Sequence, residues 1–325
     1  MKLLSYKILD TETHQIGVLK DQSIYNLNTL FGDLSLIDLI QIDDYQDRIN
    51  NYITKGDPIK HYFNNITKLP AIPKPTSFRD AYAFREHVET CRKNRGVKMI
   101  PEFDKFPVFY FSNHNSMFAD GEDIKLMPDH FDQLDYELEF AIVIGKGGKN
   151  ILQKNAKQHI AGLCILNDLS ARGLQMEEMK LNLGPAKGKD FANILGPYLV
   201  TLDELEPKII PTPFGDKYDL EMTCYINDEL FSTGNAKDMN WTFAEIIERA
   251  SYGVELFPGD IIGSGTVGSG CLLELNGTQK RKNPNYEEKW LKEGDKIEMH
   301  IEGLGSITNK IMSSNTNHSI LKKYK

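Results

Sequence analysis

The segment LDYELEFAIVIGKGG at residues 134–148 limits the possible folds more than any other part of this chain. Polar and apolar residues alternate at first and the segment then becomes continuously apolar, which predicts a strand entering the interior. Residues two apart in a strand point to the same side, so Glu137 and Glu139 would project together. Two unpaired carboxylates repel each other, and a divalent cation would remove the conflict. The alternative is a solvated strand face, since edge strands often carry charges.

A third carboxylate, Asp168, follows the apolar run IAGLCIL. That run predicts a buried strand, and functional groups often lie just beyond the ends of such elements. Asp168 would serve equally well as the N-cap of a helix predicted in SARGLQMEEMK. Carboxylate oxygens are hard ligands, which favour Mg²⁺, Ca²⁺ or Mn²⁺. A metal ligand and a helix cap both remain open for Asp168 at this point.

A possible acid–base pair comes from two other segments. The pattern AYAFREHVETCRKNRG predicts a helix that ends at Gly96. If Asp80 also belongs to this helix, it lies two turns from His87 and shares a face with it. Glu274 lies within CLLEL, an apolar run. A buried carboxylate needs a partner, and a histidine would provide one.

The glycine-rich sequence GSGTVGSG is predicted to be a loop between two strands. It has no GK[ST] and is not expected to precede a helix, so neither a phosphate loop nor a dinucleotide-binding turn is predicted. Glycine here would let the backbone approach a ligand closely, and Thr266 offers a hydroxyl group. Arg172, Gln175 and Lys189 could bind a carboxylate or an oxyanion, although each alone is more commonly an exposed surface residue.

The bulk properties exclude some classes of function. The formal net charge of −8 argues against a nucleic-acid-binding protein, and no apolar stretch approaches the roughly 18–20 residues of a membrane helix. Four cysteines without a CxxC motif favour a reducing cytoplasm, with Cys164 and Cys271 as buried thiols. The prolines of LPAIPKPTS predict a linker between a small β-rich unit (1–70), with a helix near SLIDLIQ, and a larger unit (71–325).

The sequence resembles the fumarylacetoacetate hydrolase family. The resemblance is carried by five motifs in the same order, namely RDAYAFREHV, DYELEFAIVIGK, ILNDLSARGLQ, KGKDFANILGP and GSGTVGSGCLLELNG. Five ordered motifs are far more specific than any one of them.

The resemblance implies roles for individual residues. It implies four metal ligands, which are Asp80, Glu137, Glu139 and Asp168. His87 would be the general base, oriented by Glu274, and Lys189 would stabilise the developing anion. The implied substrate-binding residues are Tyr82, Arg95, Tyr110, Arg172, Gln175 and Thr266. Met179 and Asn193 depart from the family's usual tyrosine and threonine, which leaves the exact substrate open.

The implied fold is α+β and mainly β, with a small N-terminal β domain followed by a mixed β-sandwich roll. The implied activity is metal-dependent hydrolysis of a carbon–carbon bond in a β-diketo acid. Fumarylacetoacetate, cleaved to fumarate and acetoacetate in tyrosine and phenylalanine catabolism, is the favoured substrate, with Mg²⁺ favoured over Ca²⁺ or Mn²⁺. A homodimer is also implied. The alternatives are an acylpyruvate hydrolase, an oxaloacetate decarboxylase, a hydratase or isomerase of the same family, or a non-catalytic metal-stabilised binding module.

Overall fold

The computed structural model describes residues 1–9 and 11–321, so the end of the predicted larger unit, 322–325, lies outside the described residues. The strands of the described residues are, in chain order, β1 (Lys2–Ile8), β2 (His14–Lys20), β3 (Ser23–Asn26), β4 (Lys60–His61), β5 (Ile66–Lys68), β6 (Ser77–Ala81), β7 (Phe109–Ser112), β8 (Met117–Phe118), β9 (Asp123–Leu126), β10 (Leu134–Asp135), β11 (Leu138–Ile144), β12 (Gly148–Lys149), β13 (Ile160–Asp168), β14 (Ser170–Ala171), β15 (Asn193–Val200), β16 (Ile209–Ile210), β17 (Lys217–Tyr218), β18 (Glu221–Ile226), β19 (Glu229–Asn235), β20 (Glu255–Leu256), β21 (Asp260–Gly263), β22 (Lys296–Ile301) and β23 (Gly305–Ser313). The α-helices are α1 (Asn28–Phe31), α2 (Leu36–Leu39), α3 (Tyr45–Lys55), α4 (Arg85–Asn94), α5 (Arg172–Met179), α6 (Phe243–Ala250) and α7 (Leu272–Lys282).

The main sheet has β11 near its centre and runs in the order β4-β3-β2-β1-β15-β13-β11-β21-β6-β7. Both faces of β11 are covered, which explains its continuous apolar sequence. Phe140 and Ile142 point into one core, while Ala141 and Val143 point into the other. Alternate residues of one strand therefore join two layers, as the period of two in a strand requires.

A second sheet lies against one face of the main sheet. Its order is β19-β18-β22-β23-β9, and Met222, Met299 and Ile307 from its strands share a core with Phe140 and Ile142. Helices α2 and α3 contribute to the core on the opposite face, through Leu36, Leu39 and Ile49. The expected α+β, mainly β architecture with a sandwich of sheets is confirmed.

The N-terminal strands are part of the main sheet, because β1 pairs with β15. The proline-containing segment that follows them is packed rather than exposed: the Ala71 N–H donates to the Leu195 carbonyl at 3.0 Å, and the Ser5 hydroxyl donates to the Ala71 carbonyl at 3.1 Å. One sheet therefore spans residue 70, and the division into units 1–70 and 71–325 stays a prediction. The helix expected near SLIDLIQ is confirmed as α2, and Ser35 caps it.

Two predicted elements are wrong in ways that bear on the site. Asp80 lies on strand β6 and not on a helix with His87, because α4 begins only at Arg85. The segment CLLEL, predicted to be a strand after the glycine-rich loop, forms the start of helix α7. Asp135 accepts hydrogen bonds from the backbone N–H groups of Leu272 and Leu273, at 2.7 and 3.0 Å. A carboxylate on these free N–H groups stabilises the start of a helix.

Asp168 lies at the end of a strand and does not cap the helix that follows it. Helix α5 is confirmed in SARGLQMEEMK, but its N-cap is Ala171, and Asp168 is the last residue of β13. The helix-cap interpretation of Asp168 is therefore wrong.

Among the described residues, every helix is too short or too polar to span a bilayer.

Candidate active site with four buried carboxylates

Four carboxylates come together where neighbouring strands of the main sheet end. Asp168 ends β13, Glu139 lies on β11, and Asp80 lies on β6. Strand β21 separates β11 from β6, and Gly263 on it pairs with Asp80. A Cβ atom on Gly263 would lie 2.2 Å from Oδ1 of Asp80. The glycine therefore makes room for the Asp80 carboxylate between the strands.

The carboxylates form a compact, buried cluster. Asp80, Glu137, Glu139 and Asp168 each offer one oxygen such that all four atoms lie within 4.8 Å of one another. The exposed fraction is 6% for Glu137 and less for the other three. The expectation that these carboxylates converge is confirmed, and the alternative of a solvated strand face is wrong.

Two oxygens of this cluster lack a partner. Among the described residues, Oε2 of Glu139 and Oδ1 of Asp168 are buried and accept no hydrogen bond. A buried acceptor without a partner costs free energy comparable to the desolvation of that group. The other oxygen of each carboxylate has partners: Thr266 donates to Oε1 of Glu139 at 3.3 Å, and Tyr110 and Lys189 donate to Oδ2 of Asp168 at 2.5 and 2.7 Å.

Burial and mutual repulsion shift the acidities of the cluster. Burial, with a further contribution from Asp168, raises the pKa of Asp80 to about 7. Burial and the nearby Asp80 raise the pKa of Glu139 well above its usual range. Burial also acts on Glu137, but Lys189 and Arg172 outweigh it and hold the pKa of that carboxyl well below its usual range. The cluster therefore disfavours full ionisation without added positive charge.

Two cations neutralise part of the cluster. The Lys189 ammonium contacts Glu137 and lies 2.7 Å from Oδ2 of Asp168. The Arg172 guanidinium binds Glu137 at 2.7 Å, but it also binds Asp135 and is therefore shared. If all four carboxylates were ionised, they would face one ammonium and part of a guanidinium, which would leave an excess of negative charge.

The donor set fits a divalent cation. It consists of carboxylate oxygens alone, which are the ligands that Mg²⁺, Ca²⁺ and Mn²⁺ prefer. An ion held by Asp80, Glu137, Glu139 and Asp168 would balance the excess charge and give the unpaired oxygens of Glu139 and Asp168 a partner.

A histidine–glutamate pair lies in the same region, on two helices. Nδ1 of His87 on α4 is 2.7 Å from Oε2 of Glu274 on α7. Both side chains are buried, and His87 also packs edge-on against the Tyr82 ring, with 5.9 Å between ring centroids. The expectation that Glu274 pairs with a histidine is confirmed. The carboxylate fixes which ring nitrogen faces it and orients the ring.

The protonation of His87 reflects competing effects. Burial lowers the pKa of His87, but Cys91, Cys271 and Glu274 act in the opposite direction and outweigh it. The pKa of His87 therefore lies well above its usual value of about 6.5.

A cavity of about 750 Å³ joins the carboxylate cluster to the His87–Glu274 pair, which forms a dyad. Its wall includes eleven of the thirteen predicted site residues, which are Asp80, Tyr82, His87, Arg95, Tyr110, Glu137, Glu139, Arg172, Gln175, Lys189 and Thr266. The other two lie directly behind this wall: Asp168 against Tyr110 and Lys189, and Glu274 against His87. The structure therefore brings all thirteen together.

Three neighbours of the site were missed in the sequence. Asp135 binds Arg172 and the start of α7, so it connects the two halves of the site. It continues the alternation of Glu137 and Glu139 in DYELE, a pattern that could have identified it. Cys91 and Cys271 both lie beside His87, and no spacing motif marks them.

Comparisons with known proteins agree with this architecture. An uncharacterized protein of Staphylococcus aureus (strain USA300) is 29% identical, over 96% of this chain and 99% of its own length. The solved structure of a fumarylacetoacetate hydrolase from Exiguobacterium antarcticum superposes with a TM-score of 0.71 at 24% identity, covering 96% of this chain and 99% of that one. A maleylpyruvate hydrolase from Sphingobium sp. SYK-6, solved in complex with manganese(II) and pyruvate, superposes with a TM-score of 0.70 at 19% identity, with the same coverage. At these identities the two superpositions show a shared fold.

The sequence comparison identifies the family. The model of the fumarylacetoacetate hydrolase C-terminal domain matches residues 76–312, which contain every residue of the carboxylate cluster and of the dyad. The chain therefore belongs to the fumarylacetoacetate hydrolase family.

Proposed function

We propose that this protein is a divalent-metal-dependent hydrolase that cleaves a carbon–carbon bond in a β-diketo acid, with fumarylacetoacetate as the favoured substrate. The observation that carries the proposal is the joint presence, along one cavity, of a four-carboxylate cluster and of the His87–Glu274 pair. Decarboxylation or tautomerisation needs mainly a metal, whereas attack by water also needs a base.

The carboxylate cluster supports the metal requirement. Asp80, Glu137, Glu139 and Asp168 would hold the ion. A bound divalent cation supplies a chelating centre and Lewis acidity for the oxygens of a diketo acid. The maleylpyruvate hydrolase with a similar fold was solved with manganese(II), which supports a divalent ion without deciding between Mg²⁺, Mn²⁺ and Ca²⁺.

His87 is proposed to take a proton from water. Its Nδ1 faces Glu274, so Nε2 is the nitrogen left to accept the proton. Glu274 keeps the ring in this orientation and stabilises the imidazolium that forms, as the aspartate does in a Ser-His-Asp triad. His87 must be neutral before it can act, so its raised pKa places the active form at higher pH.

Lys189 is proposed to stabilise the negative charge that develops on the attacked carbonyl oxygen. Its ammonium lines the cavity next to Glu137 and Asp168, and a buried cation fixed before the reaction stabilises an oxyanion strongly. Gln175 lines the same wall and accepts a hydrogen bond from Arg172 at 2.9 Å, which leaves its amide N–H₂ able to donate to substrate. After bond cleavage, the imidazolium of His87 can return its proton to the leaving carbanion.

The test is a substrate panel with Mg²⁺ or Mn²⁺. Fumarylacetoacetate, an acylpyruvate and oxaloacetate are each incubated with the wild type, with His87→Ala, and with His14→Ala as a control for an exposed histidine on β2. We expect hydrolysis of a diketo acid by the wild type and the control, and its loss in His87→Ala.

Decarboxylation of oxaloacetate as the fastest reaction, with near-normal turnover in His87→Ala, would contradict the hydrolase proposal and favour a decarboxylase. An acylpyruvate as the best substrate would keep the hydrolase and change its substrate. The expected homodimer and cytoplasmic location stay predictions.

A further inference from the structure

Two packed helices present four metal-binding side chains to each other beside the carboxylate cluster. His87 and Cys91 lie four residues apart on α4, so they share one face. Cys271 and Glu274 lie three residues apart at the start of α7. In the proposed hydrolysis only His87 and Glu274 are used, and neither cysteine has a role.

The distances between these groups are those of a chelating site. A ring nitrogen of His87, Sγ of Cys271 and a carboxylate oxygen of Glu274 lie within 4.8 Å of one another. Sγ of Cys91 lies 3.8 Å from Nε2 of His87. In a tetrahedral zinc site, the usual bond lengths separate a nitrogen from a sulfur ligand by about 3.5 Å. Small rotations of His87, Cys271 and Glu274 therefore bring these three to one ion, and Cys91 lies next to His87 as a further sulfur ligand.

The helices hold the two pairs together. Asn94 donates from Nδ2 to the Glu274 carbonyl at 3.0 Å and to the Thr278 hydroxyl at 3.2 Å. A Cβ atom on Gly277 would lie 2.7 Å from the Asn94 side chain, so the helices approach as closely as a glycine allows. The four groups are buried, yet His87 and Cys91 line the cavity, which gives an ion a route of entry.

We propose that His87, Cys271 and Glu274, with Cys91 as the fourth ligand, form a second metal site that binds a thiophilic divalent cation such as Zn²⁺. Nitrogen and sulfur donors select zinc and related ions over Mg²⁺ and Ca²⁺. The all-oxygen cluster of Asp80 and its neighbours has the opposite preference. Two sites with different metal preferences, one with oxygen ligands and one that includes nitrogen and sulfur ligands, therefore lie along one cavity.

Binding requires definite changes at the ligands. Each coordinating cysteine exchanges its S–H bond for a bond from sulfur to the metal, and the proton passes to solvent. Nδ1 of His87 and Oε2 of Glu274 are 2.7 Å apart, closer than the roughly 3.4 Å of two ligand atoms on one zinc ion, so their hydrogen bond must open. If the proposed function holds, His87 can then no longer accept a proton from water, and Zn²⁺ inhibits even when Mg²⁺ is saturating.

The binding test uses Co²⁺ as a spectroscopic substitute for Zn²⁺. With the metal-free protein in excess Mg²⁺, one equivalent of Co²⁺ should give a sulfur-to-cobalt charge-transfer absorption that one equivalent of Zn²⁺ abolishes. Cys271→Ser should lose most of the absorption and Cys91→Ser should reduce it. Cys164→Ser should keep it, because Cys164 lies on β13 in the core of the opposite face. Absence of the absorption in the wild type, or equal loss in all three variants, would overturn the site.

A second measurement needs no variant and covers the case in which Cys271→Ser fails to fold. Alkylation of each cysteine is followed by mass spectrometry with and without Zn²⁺. We expect Zn²⁺ to slow the alkylation of Cys91 and Cys271 at least tenfold relative to Cys164 and Cys224, all four being free and buried. Equal rates with and without Zn²⁺ at Cys91 and Cys271 would overturn the proposal. Neither readout requires turnover, so both remain decisive if the hydrolase proposal fails.

Discussion

The carboxylate cluster and the His87–Glu274 dyad lie along one cavity, but they differ in the elements that carry them and in how their polar groups are paired. The cluster lies mainly on sheet strands, its like charges are close together, and two of its oxygens have no partner among the described residues. The dyad lies on two helices, and its two side chains are hydrogen-bonded to each other at 2.7 Å. The difference indicates that the cluster is suited to take up a cation, whereas the dyad is suited to move a proton. Substitutions in the cluster should therefore reduce metal binding, whereas substitutions in the dyad should reduce turnover and leave metal binding intact.

The largest effect is expected when the cluster loses a charge. Glu139→Gln should lower kcat/KM by about 10³-fold, because a weakly held cation costs several kcal/mol of transition-state stabilisation. Mn²⁺ affinity, measured by calorimetry, should fall in parallel. The metal-free protein should stay at least as stable as the wild type, since this carboxylate has an unpartnered oxygen.

The control for this change is Glu229→Gln, an exposed glutamate on β19. It should leave metal affinity and turnover unchanged. If Glu139→Gln bound Mn²⁺ as tightly as the wild type, the carboxylate cluster would not be the site that holds the cation.

The next largest effect is expected from the dyad. His87→Ala should lower kcat by about 10²-fold or more, the usual contribution of a general base, while Mn²⁺ affinity stays within about twofold of the wild type. Calorimetry and steady-state kinetics on the same preparation separate the two quantities. A loss of metal binding equal to that of Glu139→Gln would mean that the two regions act as one unit.

A smaller, pH-dependent effect is expected from the partner of His87. Since neutral His87 is the active form and its pKa is raised above about 6.5, kcat/KM should rise with pH through that pKa. Glu274→Gln removes a carboxylate that favours the imidazolium, so the pKa of His87 should fall. The acid limb of the plot of kcat/KM against pH should then move to lower pH. The maximal rate should also fall by about tenfold, because the ring is less well oriented. A limb that stays in place, or moves to higher pH, would contradict the proposed ionisation.

The smallest effect is a shift in thermal stability. Mg²⁺ at about 100 times its Kd stabilises a single-site protein by about 2.7 kcal/mol, which is a few degrees in Tm for a chain of this length. Differential scanning calorimetry should detect this shift in the wild type and in His87→Ala, and find it reduced in Glu139→Gln. A similar shift in all three proteins would place the bound ion elsewhere.

The sequence predicted the carboxylate cluster better than the dyad, for a physical reason. Glu137 and Glu139 lie in a strand-forming segment and Asp168 follows a second one, so a period of two and the end of an apolar run made them candidates. The family resemblance then decided in favour of metal ligands. Asp80 was predicted to lie on a helix and lies on β6. A five-residue strand directly before a helix leaves too short a pattern to be separated from it.

The helix that carries Glu274 could not be predicted from the sequence of that segment alone. The run CLLEL resembles a strand, and the group that stabilises the start of α7 is Asp135, 137 residues earlier in the chain. The buried residues of this helix are Leu272, Glu274 and Asn276, two apart and only one of them apolar, so the sequence shows no helical period. The pairing with His87 depends on how α4 packs against α7, a tertiary contact that only the family resemblance anticipated.

Asp80, Glu137, Glu139 and Asp168 are proposed to hold one divalent cation. The most direct measurement is a crystal structure of the protein soaked with Mn²⁺, with an anomalous difference map. We predict one strong peak within about 2.0–2.6 Å of an oxygen from each of the four side chains. The absence of a peak there at saturating Mn²⁺, with Lys189 still bridging Glu137 and Asp168, would contradict it.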